Sequence, residues 1–134
     1  MSNVRILHKF LFDGATITSS SEVSTLPDDN AVHDFVARVW RTTGDTGQWI
    51  TFDLGTATKV TLLAIFGHNL TSGATATLEA NTSDSWAAPA YSKALTWNER
   101  CIVECLDQTY RWWRITFEDA SNPDGYIEIG RICA

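Results

Sequence analysis

The stretch "GQWITFDLGTATKVTLLAIFGHN", residues 47–69, decides the fold. Between Gln48 and Gly55, apolar and polar side chains alternate, which is typical of a strand with one buried face. In residues 60–66, one face carries apolar side chains at every second position, and Leu63 and Ile65 make the second face apolar too, which indicates a central strand covered on both sides. The segment therefore predicts two successive strands joined by a short turn.

Shorter segments of the same kind lie on both sides of this stretch, separated by turn-forming Gly, Pro, Asp and Asn residues. Residues 31–39 could form one helical turn, but no long segment has a helical period. Regularly spaced short strands are typical of a β-sandwich or barrel. The chain is therefore predicted to be a single all-β domain over residues 1–134. The further predicted strands cover residues 74–83, 101–106, 110–119 and 126–134, and residues 16–25 are strand-compatible.

Two adjacent tryptophans stand in "YRWWRITFED", residues 110–119. Neighbouring side chains of a strand point to opposite faces, so Trp113 and Ile115 are predicted to face the core. Trp112 and Arg114 are then expected on the outer face of a sheet. Arg111 is expected there as well, since an arginine can lie over an indole. That face is interpreted as a cover for the sheet or as a contact with another subunit. A sugar site fits it less well, because the middle of a strand is flatter than a loop cleft.

The charge and cysteine content exclude several kinds of partner and site. The net charge is −6, which disfavours nucleic acid and anionic membranes as partners. Residues 1–6 lack the features of a signal peptide, so folding in the cytoplasm is expected. The three cysteines include no C-x-x-C pair, which argues against a disulfide framework and a zinc site.

Three segments together resemble a known family. Residues 47–69 resemble the central signature of the discoidin, or coagulation factor 5/8 type C, group of galactose-binding-like jelly rolls. "YRWWRITFED" and "GYIEIGRI" resemble the later strands of that family in the right order. The resemblance covers roughly residues 31–132 and implies a jelly-roll β-sandwich of the galactose-binding type. Cys133 has no N-terminal cysteine partner, in contrast to extracellular discoidin domains.

A narrower resemblance points to tailed bacteriophages and prophages. "VSTLPDDN", "FVARVWRT" and "LLAIFGHNLTSGATATLEA" are similar to segments of small phage structural proteins that have this fold. This resemblance implies a virion component of the tail, tail fibre or head, folded in the host cytoplasm. It would act through contacts with other virion proteins, as an oligomer or in a larger assembly.

Candidate contact residues are aromatic and polar side chains in or near predicted loops. Aromatic rings can stack on sugars, and polar groups can bind the hydroxyls. Tryptophan and arginine are also enriched at protein–protein hot spots, so the same residues suit a partner protein equally well. The loop candidates for a glycan or partner contact are Trp40, Arg41, Trp86, Tyr91, Trp97 and Asn98.

The acidic turn "PDDN" raises the question of a structural calcium ion. Calcium binds hard oxygen ligands, and related jelly rolls bring an early loop and a late acidic residue to one ion. Asp28, Asp29 and Asn30 with Glu128 are the candidate ligands, and a solvated turn is the simpler alternative.

The function predicted from the sequence is a non-catalytic structural module of a phage-like particle. The alternative is a carbohydrate-binding module that recognises a bacterial surface glycan. No metal-spaced histidine pair, nucleophile elbow or phosphate-binding loop is present, so an enzyme is not expected. No cofactor is expected apart from the candidate calcium ion.

Overall fold

The computed structural model describes residues 4, 6, 7 and 9–134 of the chain. They form two short 3₁₀ helices, Phe12–Gly14 and Asp28–Val32, and eight strands. The strands are β1 Thr16–Ser19, β2 Trp40–Arg41, β3 Gln48–Phe66, β4 Thr75–Asn81, β5 Tyr91–Leu95, β6 Cys101–Glu118, β7 Glu128–Ile129 and β8 Arg131–Cys133. No helix in these ranges has the length and apolar content needed to cross a membrane.

Strands β3 and β6 run through both layers of a β-sandwich. The first half of β3 pairs antiparallel with the last half of β6, and the last half of β3 pairs with the first half of β6. A register shift between Asp53 and Thr58 separates the two paired regions. On one side of this shift, β1, β3, β6, β4 and β5 form a five-stranded front sheet. On the other side, β6, β3 and β8 form a three-stranded back sheet, and β2 pairs with β7 in a separate ribbon. The predicted all-β sandwich is confirmed.

The bends in β3 and β6 correct two expected strand breaks. The sequence predicts separate strands before and after Gly55, and a turn at residues 107–109, but both segments stay within continuous strands. Gly55 takes a φ of 76°, which is favourable only for glycine, and its N–H donates to Asp53 Oδ1 at 2.8 Å. Arg111 donates to both carboxylate oxygens of Asp53 across the bend. A local turn therefore bends one long strand instead of ending it.

The core lies between the two sheets and follows the alternation of the sequence. Ile50, Phe52, Trp113 and Ile115 are completely buried. Phe12 from the first 3₁₀ helix stacks on Phe52 with ring centroids 4.1 Å apart, so this helix closes one side of the core. The short helical turn expected within residues 31–39 occurs earlier, at Asp28–Val32.

Candidate functional site

Four loops meet at one end of the sandwich, where strands of both sheets begin or end. These loops are residues 42–47, 67–74, 96–100 and 119–127, and together with the adjoining β2–β7 ribbon they form a surface that we call the loop end. Asp119 connects its own loop to two of the others. Its carboxylate accepts from the N–H and hydroxyl of Thr71 at 2.8 and 2.6 Å. Its backbone N–H donates to the carbonyl of Asp45 at 2.8 Å. Asp119 is only 2% exposed, so the loops are held by a buried network.

Asn69 fixes the last of these loops. Its side-chain amide donates to Asp124 Oδ2 and to the carbonyl of Tyr126, both at 3.0 Å. Its side-chain oxygen accepts from the N–H of Glu128 at 2.8 Å. One side chain thus sets the backbone of residues 124–128 and the positions of Tyr126 and Glu128.

Arg41, Tyr126 and Glu128 form a polar and aromatic cluster at the loop end. Arg41 and Glu128 are direct register partners in the β2–β7 ribbon, so their side chains meet across the strands. Arg41 Nε donates to Glu128 Oε1 at 2.7 Å, and the guanidinium centre lies 4.3 Å from the Tyr126 ring centroid. The hydrogen bond to Glu128 raises the pKa of Arg41 above its ordinary value. The cluster is therefore charged, preorganised and aromatic at once.

The cluster remains accessible to a ligand. The side chains of Arg41 and Glu128 are 34% and 23% exposed. Among the described residues, both polar contacts between the Arg41 guanidinium and Glu128 involve the same oxygen, Oε1, which leaves Oε2 and further guanidinium N–H groups for a ligand. A donor and an acceptor side by side, beside an aromatic ring, can bind adjacent hydroxyl groups of a ligand.

Trp97 and Asn98 border the same end of the sandwich. Trp97 is half-buried, and its Nε1 donates to the carbonyl of Leu70 at 3.0 Å, which fixes the indole plane. Asn98 is exposed, and its side-chain oxygen accepts from the N–H groups of Arg100 and Cys101. Its side-chain amide nitrogen has no hydrogen bond to the described residues. Among the predicted contact residues, Arg41, Trp97 and Asn98 thus share the loop end.

The other predicted contact residues lie elsewhere. Trp40 is fully buried and packs against Phe117 with ring centroids 6.2 Å apart, which corrects its assignment to a contact surface. Tyr91 is half-buried against the core, in a T-shaped contact with Trp113 whose ring centroids are 6.5 Å apart. Trp86 comes from the loop between β4 and β5 at the opposite end of the front sheet. The sequence therefore combined residues from separate regions into one candidate site.

The outer face of the front sheet carries the tryptophan–arginine contacts expected from the sequence. The guanidinium of Arg111 lies 5.3 Å from the centroid of Trp112, and that of Arg114 lies 4.7 Å from Trp86. Arg114 also pairs with Glu79 at 2.8 Å, where the two side chains are 18% and 14% exposed. The arginines are thus engaged by carboxylates and indoles, so their arrangement fits the cover for the sheet better than an open ligand site.

The structure does not gather the four predicted calcium ligands. Glu128 pairs with Arg41, and the Asn30 amide donates to the carbonyl of Val39 at 3.0 Å. Partial burial, together with the charges of Glu22 and Asp29, raises the pKa of Asp28. Within the described ranges, no group of three or more His, Cys, Asp or Glu side chains is placed to hold a metal ion.

His68 lies at the loop end but uses both ring nitrogens within the protein. Nδ1 accepts from the N–H of Leu70 at 3.2 Å, and Nε2 lies 2.9 Å from the carbonyl oxygen of Asn98. Since a carbonyl only accepts, the ring is neutral with its hydrogen on Nε2. Burial lowers the pKa of His68, and the hydrogen bond to Asn98 opposes this only in part. His68 therefore connects two loops and leaves ligand contacts to its neighbours.

The protonation of His68 gives the fold a dependence on pH. Its folded pKa is below its unfolded value of about 6.5, so its contribution to stability is complete above that pH and decreases as the pH falls through it. We expect the urea concentration at the unfolding midpoint, measured by tryptophan fluorescence, to decrease when the pH is lowered from 7.5 to 5.5. His68→Gln should reduce this dependence on pH. An equal dependence in both proteins would contradict the assigned role.

Two clefts among the described residues, of about 250 and 260 Å³, lie away from this cluster, and both include Lys9 and Leu11 in their walls. The cluster itself is partly exposed, which suits a ligand that binds by one exposed unit.

Comparison with known proteins supports the fold assignment. No protein-family model matches the chain, and no curated protein is significantly similar to it in sequence. The lectin domain of lectinolysin, in complex with Lewis B antigen, has a TM-score of 0.74 at 12% identity, over 96% of both chains. The chain has the galactose-binding-like jelly-roll fold.

Two further similar structures are also glycan-binding modules. The family 32 carbohydrate-binding module of NanJ from C. perfringens, in complex with galactose, has a TM-score of 0.69 at 18% identity. It covers 92% of this chain and 95% of that one. A fucose-binding module of Streptococcus pneumoniae has a TM-score of 0.74 at 14% identity, over 93% of both chains. These similarities establish the fold, and the three similar structures are themselves binding modules.

Proposed function

We propose that this protein is a carbohydrate-binding module that recognises a glycan through the loop end. The observation that carries this proposal is the cluster of Arg41, Tyr126 and Glu128, held open on four interlocked loops. A guanidinium and a carboxylate beside an aromatic ring offer donors, an acceptor and an apolar face to one sugar unit. The similar structures with the same fold are binding modules for galactose, fucose and Lewis B antigen.

Trp97 and Asn98 extend this site in the proposal. The half-buried indole of Trp97 offers further apolar surface, and the exposed Asn98 amide offers another donor. The cluster pairs one cation with one carboxylate, so the site needs no charged sugar to balance it.

A glycan array with the purified protein tests this proposal. The probes are galactose-, fucose- and uronate-terminated oligosaccharides, and each hit is repeated in solution by titration with tryptophan fluorescence. We expect a hit whose binding is saturable and competed by the free terminal sugar. Absence of binding to every class of probe, with the protein folded by circular dichroism, would count against the proposal.

A second candidate function is protein–protein contact in an assembled particle. Its structural support is the exposure of Phe35, Val36, Phe66 and Val103, which are 65%, 42%, 38% and 50% exposed. A place in a tailed phage virion rests on the sequence resemblance alone. Detection of this chain by mass spectrometry in purified particles would support it, and its absence from them would count against it.

A further inference from the structure

Val36 places the loop that precedes β2 on the same face of the β2–β7 ribbon as Glu128. Ile129 is completely buried, so the alternation of a strand directs Glu128 and position 130 outward. A Cβ on Gly130 would lie 2.7 Å from Val36 Cγ1, so Val36 lies over Gly130 on this outward face. Gly130 is two residues from Glu128, at most about 7 Å along the chain. The surface around Glu128 therefore continues onto residues 33–38.

Phe35 forms an exposed aromatic surface on this loop. Its side chain is 65% exposed, and its carbonyl accepts from the N–H of Arg38 at 2.9 Å, which closes a turn. The His33 ring stacks on Phe35 with centroids 5.3 Å apart, and the guanidinium centre of Arg38 lies 6.0 Å from the Phe35 centroid. This pairing of an arginine with an aromatic ring repeats that of Arg41 with Tyr126. An exposed ring of this kind can stack on the apolar face of a sugar.

Two hydrogen-bond donors converge beside this ring. His33 Nδ1 accepts from the N–H of Phe35 at 3.2 Å, so a neutral imidazole carries its hydrogen on Nε2. Arg38 Nη1, which can only donate, lies 3.3 Å from that Nε2. Neither donor can accept from the other, so a ligand hydroxyl oxygen can accept from both. Asp34, which lies 3.5 Å from Arg131 Nη2 and is 87% exposed, adds an acceptor for a hydroxyl.

These groups favour a further unit of the glycan bound at the loop end as their occupant. Arg38 and Arg41 are three residues apart, at most about 11 Å along the chain, so one oligosaccharide can reach both arginine–aromatic pairs. Asp34 and Arg38 carry opposite charges, so an uncharged ligand needs no counter-charge here. A ligand with many hydroxyls also matches an aromatic ring, two donors and a carboxylate better than an apolar segment would.

We propose that residues 33–38 form a second subsite of the glycan site, so that the ligand is an oligosaccharide rather than a single terminal sugar. This inference rests on the proposed function. The unit at Arg41 and Glu128 supplies the basal affinity. Phe35 stacks on a unit farther along the oligosaccharide, and His33 and Arg38 donate to its hydroxyls.

Isothermal titration calorimetry with sugars of increasing length tests the second subsite. The probes are free galactose and fucose, and the galactose- and fucose-terminated oligosaccharides of the array. The wild-type protein should bind an oligosaccharide at least about tenfold more tightly than its free terminal sugar, since one aromatic contact is worth up to about tenfold in affinity. Phe35→Ala should remove most of this gain and leave binding of the free sugar unchanged. Arg38→Met should remove part of it.

Trp86→Ala is the matched control for Phe35→Ala. The ring of Trp86 also has a guanidinium beside it, that of Arg114 at 4.7 Å, but it lies at the opposite end of the front sheet. Its removal should leave both affinities at the wild-type level. An oligosaccharide bound no more tightly than its free terminal sugar would overturn the second subsite, and so would a gain that persists in both Phe35→Ala and Arg38→Met. Saturable binding of the free sugar would leave the proposed function standing in either case, whereas absence of binding to every probe would overturn both.

Discussion

Replacement of Trp113 by alanine is expected to lower the free energy of unfolding by about 3–5 kcal/mol, a large part of the total for a domain of this size. Trp113 is fully buried, and its Nε1 donates to the carbonyl of Tyr110 at 3.1 Å. Its ring contacts those of Phe12, Tyr91 and Tyr110, with centroids 6.1 to 6.5 Å apart. Truncation would therefore leave a cavity between the chain start, β5 and the bend in β6. Urea unfolding followed by circular dichroism measures the change.

The adjacent Trp112 provides a matched control. It is half-buried on the outer face, where the guanidinium of Arg111 lies 5.3 Å from the centroid of its ring. Trp112→Ala should cost only about 1 kcal/mol, since an exposed cation–π contact contributes little. If Trp113→Ala does not fold, Trp113→Phe still tests whether substitution at residue 113 costs more stability than substitution at residue 112. Equal losses at residues 112 and 113 would show that the assignment of the two faces is wrong.

The contrast between the two tryptophans shows what alternation can predict. The alternation of polar and apolar side chains indicates which face of the sheet a residue of β3 or β6 occupies. It placed Trp113 in the core and Trp112 on the outer face. It could not show that each strand continues past its bend. Gly55 donates its N–H to the Asp53 carboxylate and forms a local turn within the strand. In the sequence, this Asp-Leu-Gly turn cannot be distinguished from a turn that ends a strand.

The candidate site was harder to predict because its members come from distant loops. Arg41 and Glu128 are 87 residues apart, and only the β2–β7 register brings them together. Both residues were singled out in the sequence, but Glu128 as a calcium ligand. The alternation of "GYIEIG" places Tyr126 on the same face as Glu128, and this signal could have added Tyr126 to the site. Asn69 acts through hydrogen bonds to a loop more than fifty residues later, which no local pattern reveals.

Trp40 was assigned to a contact surface because tryptophan is suited to two different roles. Tryptophan is suited both to cores and to ligand contacts, because it combines a large apolar surface with one N–H donor. Trp40 satisfies that donor internally, at the carbonyl of Ser21, and is fully buried. Its position in a predicted loop could not distinguish this role from a contact with a sugar.

Replacement of Arg41 by methionine is expected to weaken binding of the glycan found on the array by about 10- to 100-fold, the loss typical of one hydrogen bond to a charged group. Methionine keeps most of the length of the side chain but removes every donor. Stability should change by less than about 1 kcal/mol, because the Arg41–Glu128 pair is partly exposed. Fluorescence titration and urea unfolding of the same preparations separate these two effects.

Lys59→Met is the matched control for Arg41→Met, since it also removes a cation paired with a carboxylate. Lys59 Nζ lies 2.9 Å from Asp107 Oδ1 on the back sheet, and the two side chains are 56% and 67% exposed. Binding should remain at the wild-type level in this variant, because the pair lies outside the loop end. Glu128→Gln should weaken binding as well, since it removes the carboxylate that orients Arg41. Unchanged affinity in both Arg41→Met and Glu128→Gln would place the glycan elsewhere on the sandwich, whereas loss in these two variants but not in Lys59→Met would assign recognition to the loop end.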